Sequence, residues 1–151
     1  MIAERPLRIS AVILVDHRGW VLLQERDEHA PVAPEQWGFV GGHAEDGEEM
    51  EATAYRELEE ETGIALTSGL RLWRERRRAA SERAVAEIWQ VWVAATKLTD
   101  DDIVLGEGRQ IVFVDPARVP ELDLGGSAAR LLTEFLSSPD YRELVTEASS
   151  L

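Results

Sequence analysis

The stretch RISAVILVD (8–16) is a near-continuous apolar run rich in β-branched residues, and GWVLLQER (19–26) repeats that character after a short polar break. Runs of this length bounded by turn residues predict strands, and the pair predicts a β-hairpin. Residues 27–36 (DEHAPVAPEQ) carry two prolines and no period, which predicts a loop. WGFVGGHAEDGE (37–48) begins as a short strand and breaks into a glycine-rich loop. From Glu48 to Thr62 there is no Gly or Pro, and Gly63 stands where a helix-terminating glycine belongs, so a helix is predicted there.

Further along, LRLWRERRR (70–78) and AVAEIWQVWVAA (84–95) predict two strands, followed by a polar loop over 96–102. IVLGEGRQIVFV (103–114) has the form of a strand, a glycine turn and a second strand. SAARLLTEFLSS (127–138) places Ala129, Leu132, Phe135 and Leu136 at helical spacing, and DYRELVTEA (140–148) predicts another helical piece. Period-2 alternation sets Trp89 and Gln90 on opposite faces of their strand, with Trp92 on the face of Gln90. No repeat, linker or low-complexity stretch interrupts the chain. Strands before and after a central helix, with a helical tail, predict one α/β domain over residues 1–151 with a mixed central sheet.

Composition narrows the chemistry. The 151 residues include no cysteine, which excludes disulfides, zinc–thiolate sites and thiol catalysis. The formal net charge is −13, from 16 basic and 29 acidic residues, a field that repels long nucleic acid and anionic membrane surfaces. A small phosphorylated ligand stays admissible, because a bound divalent metal reverses the sign locally. The first residues carry no signal-peptide pattern and no stretch has the length of an apolar membrane span, so a cytoplasmic protein is expected.

The predicted central helix contains RELEEETGI (56–64), with four glutamates in five positions. Glu57, Glu60 and Glu61 fall at i, i+3 and i+4 and share one face, while Glu59 points elsewhere. Three carboxylates held together raise one another's pKa unless a cation sits among them, and all-oxygen donors select Mg²⁺ or Mn²⁺. A run of glutamates taken alone reads first as a solvated face of an acidic protein.

The run is not alone. Gly42, Glu48, Arg56-Glu57-Leu58, Glu60-Glu61 and Gly63-Ile64 reproduce every fixed position of G-x5-E-x7-R-E-U-x-E-E-x-G-U, where U is a bulky aliphatic residue. In this 23-residue stretch the sequence resembles the Nudix hydrolases. The resemblance implies an α/β/α sandwich and hydrolysis of a diphosphate linkage in a nucleoside diphosphate-X substrate by metal-activated water.

It also implies roles. The Gly42 carbonyl, Glu57, Glu60 and Glu61 become metal ligands, and Glu48 pairs with Arg56 to hold the loop against the helix. Arg56 to Glu60 is an i, i+4 pair that orients a ligand carboxylate, and Leu58 and Ile64 become core anchors. Glu57 is favoured as the general base, alongside Glu60 and Arg56 as catalytic residues, with His43 an alternative base by position. A further acid is expected from a distal loop; Glu107, in GEGRQ (106–110), is preferred over Asp100, Asp101 and Asp102.

On the substrate side, glycine at positions 41 and 42 lets the backbone approach a ligand. Arg26 resembles an arginine that contacts substrate in some members, against a plain strand-end charge. Trp37 either stacks a base or belongs to the core. The run Arg74, Arg76, Arg77, Arg78 either meets a phosphate or an acidic partner, or is a charged strand end that resists aggregation. The chain has no asparagine and therefore no counterpart of the one that reads oxidised guanine in sanitising members. Near residues 78–81 it carries neither the proline of ADP-ribose members nor the tyrosine of dinucleoside polyphosphate members, and the cysteine of the isomerase branch is absent. Nucleoside triphosphates and nucleotide sugars remain as substrates. The alternative is a non-catalytic nucleotide-sensing or partner-binding module on the same fold, and analogy with the family implies a homodimer.

Overall fold

The computed structural model describes residues 5–31, 34–106 and 108–151. In chain order its elements are β1 (Leu7–Val15), β2 (Val21–Glu25), β3 (Trp37–Gly38), β4 (Val40–His43), α1 (Met50–Thr62), β5 (Arg71–Arg78), β6 (Glu87–Ala95), β7 (Gln110–Val114), α2 (Gly126–Leu136) and α3 (Pro139–Ser149). Short 3₁₀ turns lie at Asp100–Asp102 and Pro116–Glu121.

The described strands form one seven-stranded mixed sheet. β1 and β6 run parallel at its centre, in register from Leu7↔Glu87 to Val15↔Ala95. β5 closes one edge, antiparallel to β6. On its other side β1 meets β4 over Ile9–Val12 and β2 at Val15↔Val21, and β2 in turn pairs with β3 and β7.

The apolar run of β1 follows from its place in this sheet, because a strand covered on both faces cannot afford alternating polar positions. Ala11, Ile13 and Val15 point to one layer, where they pack with Leu131, Leu132 and Phe135 of α2 and Leu144 of α3. Val12 and Leu14 point to the other, where they meet Ala54 and Leu58 of α1 together with Ile64, Val40 and Trp92. The α/β/α sandwich is thus built from the two side-chain sets of one strand. Leu58 is fully buried, so truncation to Ala is expected to cost about 2–5 kcal/mol.

Three expectations are corrected. The glycine-rich segment before the helix is largely strand: Val40–His43 pairs antiparallel with β1, Ala11 facing Gly41 and Ser10 facing Gly42. Residues 103–106 form no strand, since the N–H groups of Val104 and Gly106 go to the helix carbonyls of Thr62 and Glu61, each at 2.8 Å. In α2 the fully buried set is Ala128, Leu131, Leu132 and Phe135, with Ala129 and Leu136 only half-buried, a face rotated by one position. The helix α1 begins at Met50, two residues later than the sequence suggested, and ends as expected with Gly63 left-handed (φ 75°) and its N–H on Glu59 O.

Trp89 and Trp92 fall on opposite faces, each within its own core layer. The arginine run occupies the edge strand and is paired within the chain. Arg74 and Arg76 both reach Glu134 on α2, Arg77 pairs with Glu75, and Arg78 with Glu87. The edge is thus charged, and two of its arginines are braced against α2.

Candidate active site

Two residues of β1 and the neighbouring strand β4 set the acidic helix in place. Ser10, a buried hydroxyl in the middle of the apolar run, donates to Met50 O at 2.6 Å. Arg8 donates to Glu48 O at 2.7 Å and Glu45 O at 2.8 Å, which fixes the connection into α1. β4 pairs alongside β1 in the sheet and also packs against the helix, and its two glycines allow close contact on both sides. A Cβ added at Gly41 (φ 148°) would stand 2.1 Å from Ser10 O. One added at Gly42 would stand 2.6 Å from Glu57 Cδ. Both glycines are required by approach of the helix carboxylates and the neighbouring strand, and the reason is packing as much as φ.

Arg56 is the hub of the site. Its Nε and Nη2 donate to the two oxygens of Glu48 at 2.8 and 2.9 Å, a bidentate pair. Nη1 donates to Glu57 Oε1 at 3.0 Å and to Glu60 at 3.2 and 3.3 Å, and Nη2 also reaches His43 O at 3.2 Å. The bond from Arg56 holds the Glu48 carboxyl down at about 2, and the same bond pushes the guanidinium further above its ordinary range. Thr53 adds its hydroxyl to Glu48 at 2.8 Å. The expected Glu48–Arg56 link is therefore present, and Arg56 to Glu60 is in contact as an i, i+4 pair.

Of the acids placed on one face, Glu61 is buried and accepts the Gly41 N–H at 2.9 Å, while Glu57 lies against Gly42. Glu60 is more than half exposed and leans to Arg56. Glu59 is exposed, as expected. Among the described residues no three acidic or histidine side chains already converge at metal-binding geometry. What the chain supplies is two carboxylates along the Gly41–Gly42 backbone, a third beside them held by arginine, and a cradle that any side chain at position 42 would fill. These donors are all oxygen, which suits a hard divalent ion.

The remaining predicted residues spread around this centre. Glu107 lies outside the described residues. The 3₁₀ turn Asp100–Asp102 is engaged structurally: Asp100 accepts the Phe113 N–H and Asp102 caps the turn through Thr99. His43 ends β4 with an exposed side chain and contributes its carbonyl to Arg56. Arg26 follows β2, half-buried and without an ion pair among the described residues, its N–H on Gln36 O. Trp37 is half-buried against the α2–α3 core layer, and its backbone is tied to Asp123 and Gly125. Sequence reasoning missed Arg8, Ser10 and Thr53. Ser10 carried a legible signal, a lone hydroxyl inside an apolar run.

The sequence profile of the NUDIX domain matches residues 4–135. The chain belongs to the Nudix family, whose hydrolases act on nucleoside diphosphate derivatives, and it is an enzyme of that pyrophosphohydrolase type. Comparison with the curated proteins finds none that matches. Among solved structures, the fold is shared with a MutT protein from Methanosarcina mazei Go1 (18% identity, TM-score 0.69, covering 97% of this chain and 98% of that one). It is shared too with the NUDIX domain of Shewanella oneidensis NrtR in complex with ADP ribose (18%, TM-score 0.70, 89% and 90%). A MutT NUDIX hydrolase from Burkholderia pseudomallei gives 24% identity and a TM-score of 0.68 over 87% of this chain and 98% of that one. No helix among the described residues is long and apolar enough to cross a membrane.

Proposed function

We propose that this enzyme hydrolyses the diphosphate linkage of a nucleoside triphosphate or nucleotide sugar, with Mg²⁺ or Mn²⁺ held by Glu57, Glu60, Glu61 and the Gly42 carbonyl. The observation that carries the reading is the placement of two carboxylates, Glu57 and Glu61, on the consecutive glycines of β4. A divalent cation supplies Lewis acidity toward the phosphoryl oxygens and neutralises the charge that builds on them. Glu57 takes the proton of the attacking water, and Arg56 holds Glu57 and Glu60 in mutual orientation. Arg26 and Trp37 take the substrate side of the site, and the absence of a side chain at Gly42 lets the Glu57 carboxylate lie against the strand backbone. Glu107, the further acid the sequence offers, is assigned to the same set.

The test is a panel of nucleoside triphosphates, nucleotide sugars and other nucleoside diphosphate derivatives with Mg²⁺ and Mn²⁺, each product identified so that the cleaved bond is known. Metal-dependent release of a nucleoside monophosphate, abolished by EDTA, supports the proposal. Turnover that EDTA leaves unchanged, or saturable nucleotide binding with no turnover on any member, contradicts it.

A further inference from the structure

The last turn of α1 ends in carbonyls that no basic side chain caps, for the helix has no Lys, Arg or His there. The segment 103–106 takes that role. Val104 N–H donates to Thr62 O and Gly106 N–H to Glu61 O, both at 2.8 Å, while Gly63 N–H closes on Glu59 O. The contact at Gly106 leaves no space: a Cβ there would stand 2.2 Å from Glu60 O and 3.2 Å from Glu61 Cα. A Cβ on Gly63 would likewise meet the Val104 side chain at 3.3 Å. Beyond this strap the chain is anchored a second time, on β2: Arg109 N–H donates to Glu25 O at 2.9 Å, and Gly108 (φ 89°) lies against Gln24 and Glu25. Contacts from 104–106 thus reach the carboxylate-bearing turn of the helix, and contacts from 108–109 reach the strand that leads into Arg26.

We infer that Gly106 is a positioning residue, and that the strap 103–106 sets the pitch of the helix turn from which Glu60 and Glu61 project. The backbone oxygens of Glu60, Glu61 and Thr62 are each touched by the strap, so displacing it moves the Cα–Cβ vectors of both acids together. Glu61 is sensitive to such a movement because its carboxylate is already committed to Gly41 N–H at 2.9 Å, a bond that a few tenths of an ångström weaken. The clash at Gly106 is with main chain and not with the end of a flexible side chain, so either the strap or the turn has to yield. This inference rests on the proposed metal-dependent reading of the same acids and adds to it the element that aims them.

The experiment compares wild type with Gly106→Ala, with Gly126→Ala as control, since a Cβ at Gly126 meets nothing within 4 Å. Mn²⁺ binding to the substrate-free protein is read from the electron paramagnetic resonance of free Mn²⁺, well below each variant's thermal midpoint, and kcat and KM are measured alongside. Gly106→Ala is expected to bind Mn²⁺ about 10- to 100-fold more weakly, the range for lost support of a metal ligand. Its kcat is expected to fall while KM for substrate stays within about twofold, and Gly126→Ala is expected to match wild type. Wild-type Mn²⁺ affinity and kcat in Gly106→Ala, with only the thermal midpoint lowered, overturn the inference and leave the proposed function standing. A wild-type protein that binds no Mn²⁺ overturns both. Should Gly106→Ala fail to fold, Val104→Pro decides, because it deletes one strap donor while Ile103 already has the extended backbone (φ −91°, ψ 127°) that precedes a proline. Weakened Mn²⁺ binding in that variant supports the strap's role, and unchanged binding refutes it.

Discussion

The backbone N–H of Gly41 donates to the carboxylate of Glu61 at 2.9 Å, which ties the acidic helix to the strand in front of it through a residue that has no side chain. That bond makes Glu61 both a structural acceptor and a ligand candidate, and the two roles separate on substitution. Glu61→Gln keeps an oxygen for Gly41 and loses the charge. Turnover is expected to fall by about two to four orders of magnitude while the unfolding free energy changes by less than ~1 kcal/mol. Steady-state kinetics and urea unfolding on the same preparation check this; full activity in the variant would remove Glu61 from the site.

The two glycines of β4 predict opposite phenotypes. At Gly42 the obstacle to a Cβ is the tip of Glu57, a side chain that can swing away, so Gly42→Ala is expected to fold normally and lose activity. At Gly41 the obstacle is Ser10 O in the neighbouring strand, and φ is 148°. Gly41→Ala is expected to cost about 2 kcal/mol or more, because backbone cannot move aside cheaply. Thermal melts and activity assays of the pair should place one variant in the stable-but-inactive class and the other in the unstable class. A Gly42→Ala enzyme with wild-type turnover would mean that Glu57 has no fixed position to lose.

Arg56 bridges Glu48, Glu57 and Glu60. Removing it leaves three carboxylates without their shared cation, a cost of about 2–4 kcal/mol by analogy with broken partly buried pairs. Arg56→Ala is therefore expected to lose both stability and activity, and Arg56→Lys to recover part of the first but little of the second, since an ammonium cannot reproduce the bidentate contact to Glu48. Denaturation midpoints of the two variants, compared with their kcat values, test this ordering.

The Glu48 carboxyl titrates at about 2 in the folded protein, against an ordinary value of 4.5, chiefly because Arg56 donates to it. A folded-state value below the unfolded one contributes stability that is fully present above 4.5 and is lost as pH falls through about 2. The contribution at neutral pH is up to ~3 kcal/mol, and roughly half or more of it is gone by pH 3. The stability gap between wild type and Glu48→Gln, measured by urea unfolding at several pH values, should be constant from pH 7 to 5 and then shrink. A gap that stays the same down to pH 3 would show that the pair with Arg56 does not set this carboxyl's affinity for protons.

Much of this architecture is legible in the chain because it is local. The helix that carries the acids has an uninterrupted run and a terminal glycine, and the faces of Glu57, Glu60 and Glu61 follow from spacing alone. The apolar run of β1 announces a strand, and the structure adds that both its faces are covered. The misreadings have a common cause in contacts from far along the chain. Val40–His43 contains two glycines with no strand propensity of their own, and it is a strand because β1 pairs with it. Val104 and Leu105 look like strand residues, yet the segment spends its N–H groups on helix carbonyls and leaves both side chains exposed. The rotation of α2 by one position reflects how two helices share one sheet face, and periodicity leaves that choice open. Within the site, the Glu48–Arg56 pair could be anticipated, but the grip of Arg8 on the carbonyls of Glu45 and Glu48 could not, because it spans some forty residues.

The central claim is that a divalent cation is bound by the acids of α1 at the Gly41–Gly42 strand. Anomalous diffraction from crystals soaked with Mn²⁺ and a non-hydrolysable nucleotide tests it most directly. The account predicts a manganese peak among the oxygens of Glu57, Glu60 and Glu61 with the nucleotide's phosphates beside it. Nucleotide density without any such peak, or with manganese held only elsewhere on the molecule, would contradict it.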